Sequence, residues 1–344
     1  MLAATLTGVG AIELTTRARP LRVPGQALIR VEAVGLCGSD LSYFSKGANG
    51  DFVVRAPLIL GHEVTGTVVE LDADPTPASL RVGTRVAVHP AWPSPGPGED
   101  AVSARWRDEP ASFLGSASTS PHTDGGLQEY LSVRTEQLRV LPDRLPLRAA
   151  VLAEPTAVVL HALSRAGDVR GKDALICGAG PIGLLGLLAL RAAGAGRITV
   201  SDVRPAALAL AQELGADAAV DVSRDSVAVS ADLALEASGV PAALEAAVAA
   251  ARAGGTIVQL GMLPRDPRPV ALSGIVTKEL SVVGSHRFAG ELDAALALLE
   301  AMPEAAEIVR TVVPLRHVAA AFAAVADAAI VGKVVVAVAD GELA

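Results

Sequence analysis

Cys37, His62, Glu63 and Glu154 are the residues of this chain with which chemistry can begin; they stand in the segments VGLCGSDLSY, LGHEVTG and LAEPTAVVLHA. Taken singly, each has an ordinary explanation. A lone cysteine is usually a small buried hydrophobe, a lone histidine a satisfied polar group, and Glu154 an acid in the first turn of a helix. Together they offer one thiolate, one imidazole and two carboxylates. That set suits a four-coordinate zinc with one position left for water or substrate. The four are far apart in sequence, so a fold, not a local motif, has to assemble them.

A second feature points to a dinucleotide. In ALICGAGPIG, Gly178, Gly180 and Gly183 form G-x-G-x-x-G between an expected strand and an expected helix opened by Pro181 and Ile182. The first glycine permits a tight turn, the second lets the backbone approach a pyrophosphate, and the third lets helix and strand pack closely. The helix N-terminus then offers free N–H groups to the phosphates. Asp202 ends the next strand, RITVSD, 19 residues after Gly183. A carboxylate there bonds the ribose hydroxyls and repels a 2′-phosphate, which favours NAD; Arg204, two residues on, leaves NADP open.

The elements that must position these residues follow two grammars. Up to about residue 145 the chain is β-rich: ALIRVEAVGLCG (27–38), EVTGTVVEL (63–71), RVGTRVAVHP (81–90) and GGLQEYLSV (125–133) are short strands broken by Gly, Asp and Pro. From about residue 150, apolar strands alternate with Ala-rich helices, among them 205–216 and 241–255, before TIVQLGM (256–262). This alternation implies a parallel sheet covered on both faces. The expected class is α/β, a β-rich domain beside a doubly wound (Rossmann) domain. The tail, with two helices and the strand GKVVVAVAD, is free to return to the first domain.

Composition narrows the function. The 344 residues favour two domains, and 51% apolar content with only 3% aromatics makes Ala, Val and Leu fill the cores. A formal charge of −8 with no long basic run disfavours nucleic acid and anionic membranes and favours small molecules. Two cysteines make no disulfide framework and suit a reducing cytoplasm. The N-terminus lacks signal-peptide character, and no apolar run is long enough to span a bilayer; LLGLLAL (184–190) is far too short.

GxGxxG after residue 170, CGSD near residue 37 and GHE 25 residues beyond the cysteine make the whole chain resemble the zinc-dependent medium-chain alcohol/polyol dehydrogenases, sorbitol dehydrogenase branch. The resemblance implies a GroES-like catalytic domain, 1–147 with 290–344, around an NAD-binding Rossmann domain, 148–289. It implies catalytic zinc on Cys37 and His62, with Glu63 and Glu154 as ligands or near-ligands; which of the two binds directly stays open. Ser39 would take the substrate proton and Asp40 would orient His62. Ser42 stands where a relay histidine often sits. Tyr43, Glu154 and Arg287 match substrate contacts, and the cofactor site extends to Leu260, Gly261, Met262, Ser285 and Arg287. Zinc would lower the pKa of the substrate hydroxyl, and the carbinol carbon would pass hydride to the nicotinamide.

Within the family, VRAPLILGHEV, FLGSASTSPHTDGG and GSHRF look most like L-idonate 5-dehydrogenases. A sugar acid needs a cation for its carboxylate, and Arg287, His122 or His286 are the candidates. A neutral polyol such as sorbitol or xylitol is the nearest alternative substrate. Zinc-free quinone reductase-like chemistry, or NAD(P) binding without turnover, are the alternatives from other classes. ELSVVGSH (279–286) resembles the edge strand through which family members pair, which implies a homodimer or homotetramer.

One stretch fits neither grammar. HPAWPSPGPGEDAVSARWRDEP (89–110) carries five prolines and both tryptophans. In many relatives this region is a lobe with a structural zinc on four cysteines. Here the corresponding positions are Ser94, Pro97, Asp100 and Asp108, which cannot close a tetrahedral site. One zinc per chain is therefore expected, with Trp92 and Trp106 anchoring the lobe.

Overall fold

The computed structural model describes residues 1–72, 79–92, 112–327 and 330–339. The chain divides into two units, residues 1–154 with 295–344 and residues 155–294.

The first unit opens with the hairpin β1 (Leu2–Gly8) and β2 (Ala11–Thr16), then the long strand β3 (Gln26–Gly35), which runs into helix α1 (Gly38–Lys46). Strands β4 (Glu63–Glu70), β5 (Arg85–Val88), β6 (Tyr130–Arg134) and β7 (Leu138–Val140) follow. β3 is central: it pairs antiparallel with β4, with Val34 opposite Val64 and Gly35 opposite Glu63, and at its other end with β6. β3 is buried over Ala27–Ile29 and Ala33–Gly35, and β4 over Glu63–Gly66, so the strand ends that meet near Cys37 are covered on both faces, and buried and more accessible residues alternate only over Ile29–Ala33 and Gly66–Val69.

In the second unit, helix α2 (Ala153–Ala166) leads in. Strand β8 (Ala174–Cys177) and helix α3 (Pro181–Ala192) come next, then β9 (Ile198–Asp202), α4 (Pro205–Glu213), β10 (Ala218–Asp221) and β11 (Ala231–Glu236). Helix α5 (Pro241–Ala250), β12 (Ala251–Gln259) and β13 (Ser281–Gly284) complete it. The six strands pair in parallel in the order β10-β9-β8-β11-β12-β13. The order reverses at β8, which is the doubly wound arrangement whose crevice takes dinucleotides. The sequence predicts a helix over 241–255; the structure ends it at Ala250. Lys278 Nζ donates to the carbonyls of Val248 (3.0 Å), Ala249 (2.7 Å) and Ala251 (2.9 Å), closing the helix before Gly254–Gly255. Ala-rich composition alone does not mark that stop.

The chain then returns to the first unit through α6 (Leu292–Ala301), β14 (Val309–Pro314), α7 (Val318–Ala326) and β15 (Lys333–Ala337). β15 pairs antiparallel with β3 and parallel with β14, so β3 lies between β4 and β15 at the end that carries Cys37. The first unit's core gathers Leu6, Ile29, Val34, Leu58, Val64 and Phe322, all nearly inaccessible. Burying each such side chain is worth roughly 1.5–3 kcal/mol, so the strand ends that frame Cys37 are held by a well-filled core.

Of the 89–110 stretch, the structure describes the entry. Ala91–Trp92 pairs antiparallel with Ser112–Phe113, so the segment leaves and returns side by side, and the Arg134 guanidinium lies 5.4 Å over the Trp92 ring. Ser94, Pro97, Asp100, Trp106 and Asp108 lie outside the described residues. No helix among the described residues is long and apolar enough to cross a membrane.

Candidate active site

Three strand ends meet in the first unit. β3 ends at Gly35 and delivers Cys37; β4 begins at Glu63 with His62 just before it; β15 begins at Lys333. Potential ligand atoms of Cys37, His62 and Glu63 lie within 4.8 Å of one another. Thiolate, imidazole and carboxylate at that spacing are a donor set for zinc.

Asp40 assembles this cluster through the backbone. It is buried, its Oδ2 accepts the Cys37 N–H at 2.9 Å and its Oδ1 accepts the Gly61 N–H at 3.1 Å. One carboxylate thereby ties the two ligand-bearing loops together. Its Oδ1 lies 3.8 Å from His62 Nδ1, so it acts on the imidazole electrostatically as well as through this backbone staple. The ring packs on Phe113, with centroids 5.4 Å apart.

The cluster is strongly negative. Burial by itself would lower the His62 pKa, but Asp40, Cys37 and Glu154 raise it to about 10. Lys333 is likewise raised against its burial by Glu63, Cys37 and Glu154. Both shifts report a pocket that favours a cation. Glu154, buried in the first turn of α2, acts electrostatically on both groups yet stands outside the three-residue cluster.

Glu63 is divided between two partners. Its Oε1 accepts from Lys333 Nζ, with both side chains buried, while its Oε2 is buried with no hydrogen-bond partner. An orphaned carboxylate oxygen inside a zinc-type donor set is what a metal ligand looks like without its metal. Gly35 makes room for the pair: a Cβ there would lie 2.0 Å from Glu63 Oε2 and 2.9 Å from Lys333 Cε. The residues present therefore fit a bound zinc.

The second unit presents the dinucleotide turn. Gly178 has φ 105°, which side chains rarely adopt, and a Cβ on Gly183 would lie 1.8 Å from the Gly178 carbonyl oxygen. At Gly180 a Cβ would meet nothing within 4 Å, which leaves the mouth of the turn open at the start of α3. Asp202 ends β9 beside it. Its Oδ2 accepts the Ala179 N–H at 2.7 Å, and Arg204 forks onto it from Nε (3.0 Å to Oδ1) and Nη2 (3.1 Å to Oδ2). Burial opposes ionisation of Asp202, but the Arg204 and Ala179 bonds hold its carboxyl below the usual range.

Residues 23–143 match the alcohol dehydrogenase GroES-like domain and residues 181–301 match the zinc-binding dehydrogenase domain. The chain is 33% identical to sorbitol dehydrogenase of Bos taurus over 309 residues, 87% of this chain and 85% of that protein. It is 34% identical to L-idonate 5-dehydrogenase (NAD(P)+) of Escherichia coli K12 over 284 residues, 79% of this chain and 80% of that protein. The crystal structure of the E. coli L-idonate 5-dehydrogenase superposes with a TM-score of 0.88 at 29% identity, covering 98% of both chains. The chain belongs to the zinc-dependent medium-chain dehydrogenases. Its family acts on small polyol- and sugar-type molecules with NAD(P), and the GroES-like and Rossmann folds expected from the sequence are those observed.

The other expected residues of this dehydrogenase are placed as follows. Ser39, half-buried, lies in the first turn of α1 beside Cys37, and the Ser42 hydroxyl is turned back to the Gly38 carbonyl at 3.0 Å. The Tyr43 hydroxyl is buried, 3.0 Å from Ser116 Oγ, and accepts the Ala117 N–H at 3.2 Å; its polar end thus braces the 116–118 turn. His122 is removed from the candidate cations: Nε2 accepts the Arg55 N–H at 2.8 Å while Nδ1 donates to the Thr119 carbonyl at 3.0 Å, which is the neutral tautomer with both nitrogens used. His286 is exposed and Arg287 half-buried on the same turn, where Arg287 has φ 59°. Met262 is 72% exposed, and the Ser285 hydroxyl is buried with no hydrogen-bond partner.

Two residues with a part in these sites escape the sequence reading. Lys333 opens a Val-rich strand as its one charged residue, and a charge at the head of a buried strand was the signal available. Glu236 ends the apolar β11 in the same way, fully buried. Its carboxylate accepts from the Ser238 N–H (2.9 Å), the Gly239 N–H (3.1 Å), the Ser238 hydroxyl and Gln259 Nε2. Its carbonyl accepts the N–H groups of Leu260 and Gly261, both at 2.9 Å. Glu236 thus joins the loops after β11 and β12 at the carboxyl edge of the sheet, where dinucleotides bind.

Proposed function

We propose that the chain oxidises a secondary hydroxyl of a sugar acid, L-idonate to 5-keto-gluconate, with NAD as acceptor and NADP as a second cofactor. The observation that carries the reading is the cluster of Cys37, His62 and Glu63 with a vacant-handed Glu63 Oε2, on a chain so like the E. coli L-idonate 5-dehydrogenase in sequence and shape. Cys37, His62 and a carboxylate, Glu63 or Glu154, would hold one zinc, and the turn of Gly178, Gly180 and Gly183 with Asp202 would hold the dinucleotide. Bound zinc would supply a Lewis acid that acidifies the substrate hydroxyl, and bound NAD would supply the hydride acceptor. Ser39 relays the hydroxyl proton, releasing its own towards solvent as it takes the substrate's; Asp40 keeps Cys37 and His62 at their spacing; Arg287 faces the substrate carboxylate with a fixed positive charge. Residues 148–289 form the NAD-binding domain in this reading, and the outer strand β13 is the edge through which a homodimer or homotetramer forms. Two unpaired cysteines suit the cytoplasm.

A screen of L-idonate, sorbitol and xylitol with NAD and NADP, with and without a chelator, tests this. The highest kcat/KM is expected for L-idonate with NAD, and turnover is expected to be lost to the chelator. Sorbitol use without idonate use would overturn the substrate, and chelator-insensitive turnover would overturn the zinc.

Cofactor choice gives a separate expectation. Asp202 both repels a 2′-phosphate and occupies Arg204. Asp202→Ala frees the guanidinium, and charged hydrogen bonds of about 1.5–3 kcal/mol should shift the NADP-to-NAD ratio of kcat/KM upward by roughly tenfold or more. An unchanged ratio in steady-state kinetics would show that this pair does not set the preference.

A further inference from the structure

The turn that follows β13 carries an uncommon backbone. Arg287 has φ 59°, a left-handed conformation that residues with a Cβ keep only where the surroundings enforce it. Two attachments enforce it. Upstream, the Ser285 N–H donates to the Gln259 carbonyl at 3.0 Å, tying the turn to the end of β12. Downstream, Glu291 closes it: Oε2 accepts the Ala289 N–H at 2.7 Å, and Oε1 accepts from Nδ1 of His161 at 2.8 Å. Phe288 and Ala289, between the strained residue and the carboxylate, are buried. His161 is itself buried in the middle of α2, a helix of 14 residues. The Glu291 carboxyl sits below its usual range because, against burial, the His161 and Ala289 bonds favour its ionised form.

We infer that His161 is a positioning residue: through Glu291 it clamps the 287–291 turn to helix α2 and so fixes where the Arg287 guanidinium stands for an anionic group of the substrate. This rests on the reading above in which Arg287 meets the substrate carboxylate. The clamp is economical in chemistry. One carboxylate puts one oxygen on the turn's own backbone and the other on the helix, so the turn cannot relax without breaking a charge-assisted bond between a half-buried carboxylate and a buried histidine. Arg287 reaches its target on a long side chain, and only a fixed backbone beneath it makes that reach reproducible.

Three variants of the holoenzyme test the clamp. His161→Ala removes the donor, His161→Asn returns an N–H donor near the position of Nδ1, and Arg287→Met removes the cation itself. In His161→Ala, amide hydrogen exchange across residues 286–291 is expected to quicken by about tenfold with the rest of the second unit unchanged. The KM for L-idonate is expected to rise about tenfold, with kcat on sorbitol unmoved and His161→Asn recovering most of the loss. Unchanged exchange in the turn would overturn the clamp. So would an equal fall of kcat on both substrates at constant KM, which is what a merely structural histidine would give. Arg287→Met judges the underlying reading by itself: an unchanged KM for L-idonate there, with fast exchange in His161→Ala, would leave the clamp standing and remove its anion-binding purpose.

Discussion

Cys37→Ala is expected to lower kcat/KM by about a thousandfold, since the Lewis acid in this reading contributes several kcal/mol to the reaction, and to take the bound zinc with it. Cys37 is the one thiolate donor of a set whose other members are an imidazole and a carboxylate already engaged with Lys333. Zinc sites lean on soft thiolate ligands, and a methyl group leaves the remaining donors too few to close the coordination. The fold should survive, because the β3 end is held by its pairing with β4 and β15 and by the Leu36 N–H on the Val334 carbonyl at 3.0 Å. Metal analysis of the purified variant, together with its circular dichroism and thermal midpoint, checks both halves. A variant that keeps one equivalent of zinc and most of its turnover would remove Cys37 from the metal site.

The second large effect concerns stability. Lys333→Met is expected to cost the metal-free protein about 3–5 kcal/mol, the usual price of stranding one partner of a buried ion pair. Lys333 and Glu63 are 4% and 1% exposed, so solvent does little to screen either. Methionine fills much of the lysine stem's volume, which confines the loss to charge. The double variant Lys333→Met, Glu63→Gln should recover a good part of it, because no buried charge is then left alone. Zinc-loaded Lys333→Met should lose less than the metal-free form, since a bound cation then neutralises Glu63. Urea unfolding of the three proteins, with and without zinc, decides this: equal midpoints for Lys333→Met and the parent would show that Glu63 finds its compensation elsewhere.

The dinucleotide turn was legible because its demands are local. Gly178 must adopt a φ that side chains avoid and Gly183 must leave room for a carbonyl, and both demands show in a run of six residues. The alternation of apolar strands and Ala-rich helices announced the parallel sheet for the same reason, although the end of α5 did not show, being set by Lys278 from 27 residues beyond Ala251. His122 reads in sequence as a candidate cation, and only its two hydrogen bonds make it a structural neutral ring.

By itself the sequence determined the class of chemistry: a thiolate, an imidazole and carboxylates, and a dinucleotide turn, on an acidic chain of formal charge −8. Residue types and local backbone rules suffice for that. What the tertiary structure decided is how those groups are held. Asp40 staples Cys37 to the loop before His62 through two N–H groups, and Glu63 is shared with a lysine 270 residues away. The alternating register of β3, β4 and β15 brings Gly35, Glu63 and Lys333 to one place, with the glycine's missing side chain supplying the space. Pairing across strands so distant in the chain follows from the packing of a whole core, and no window of sequence contains it.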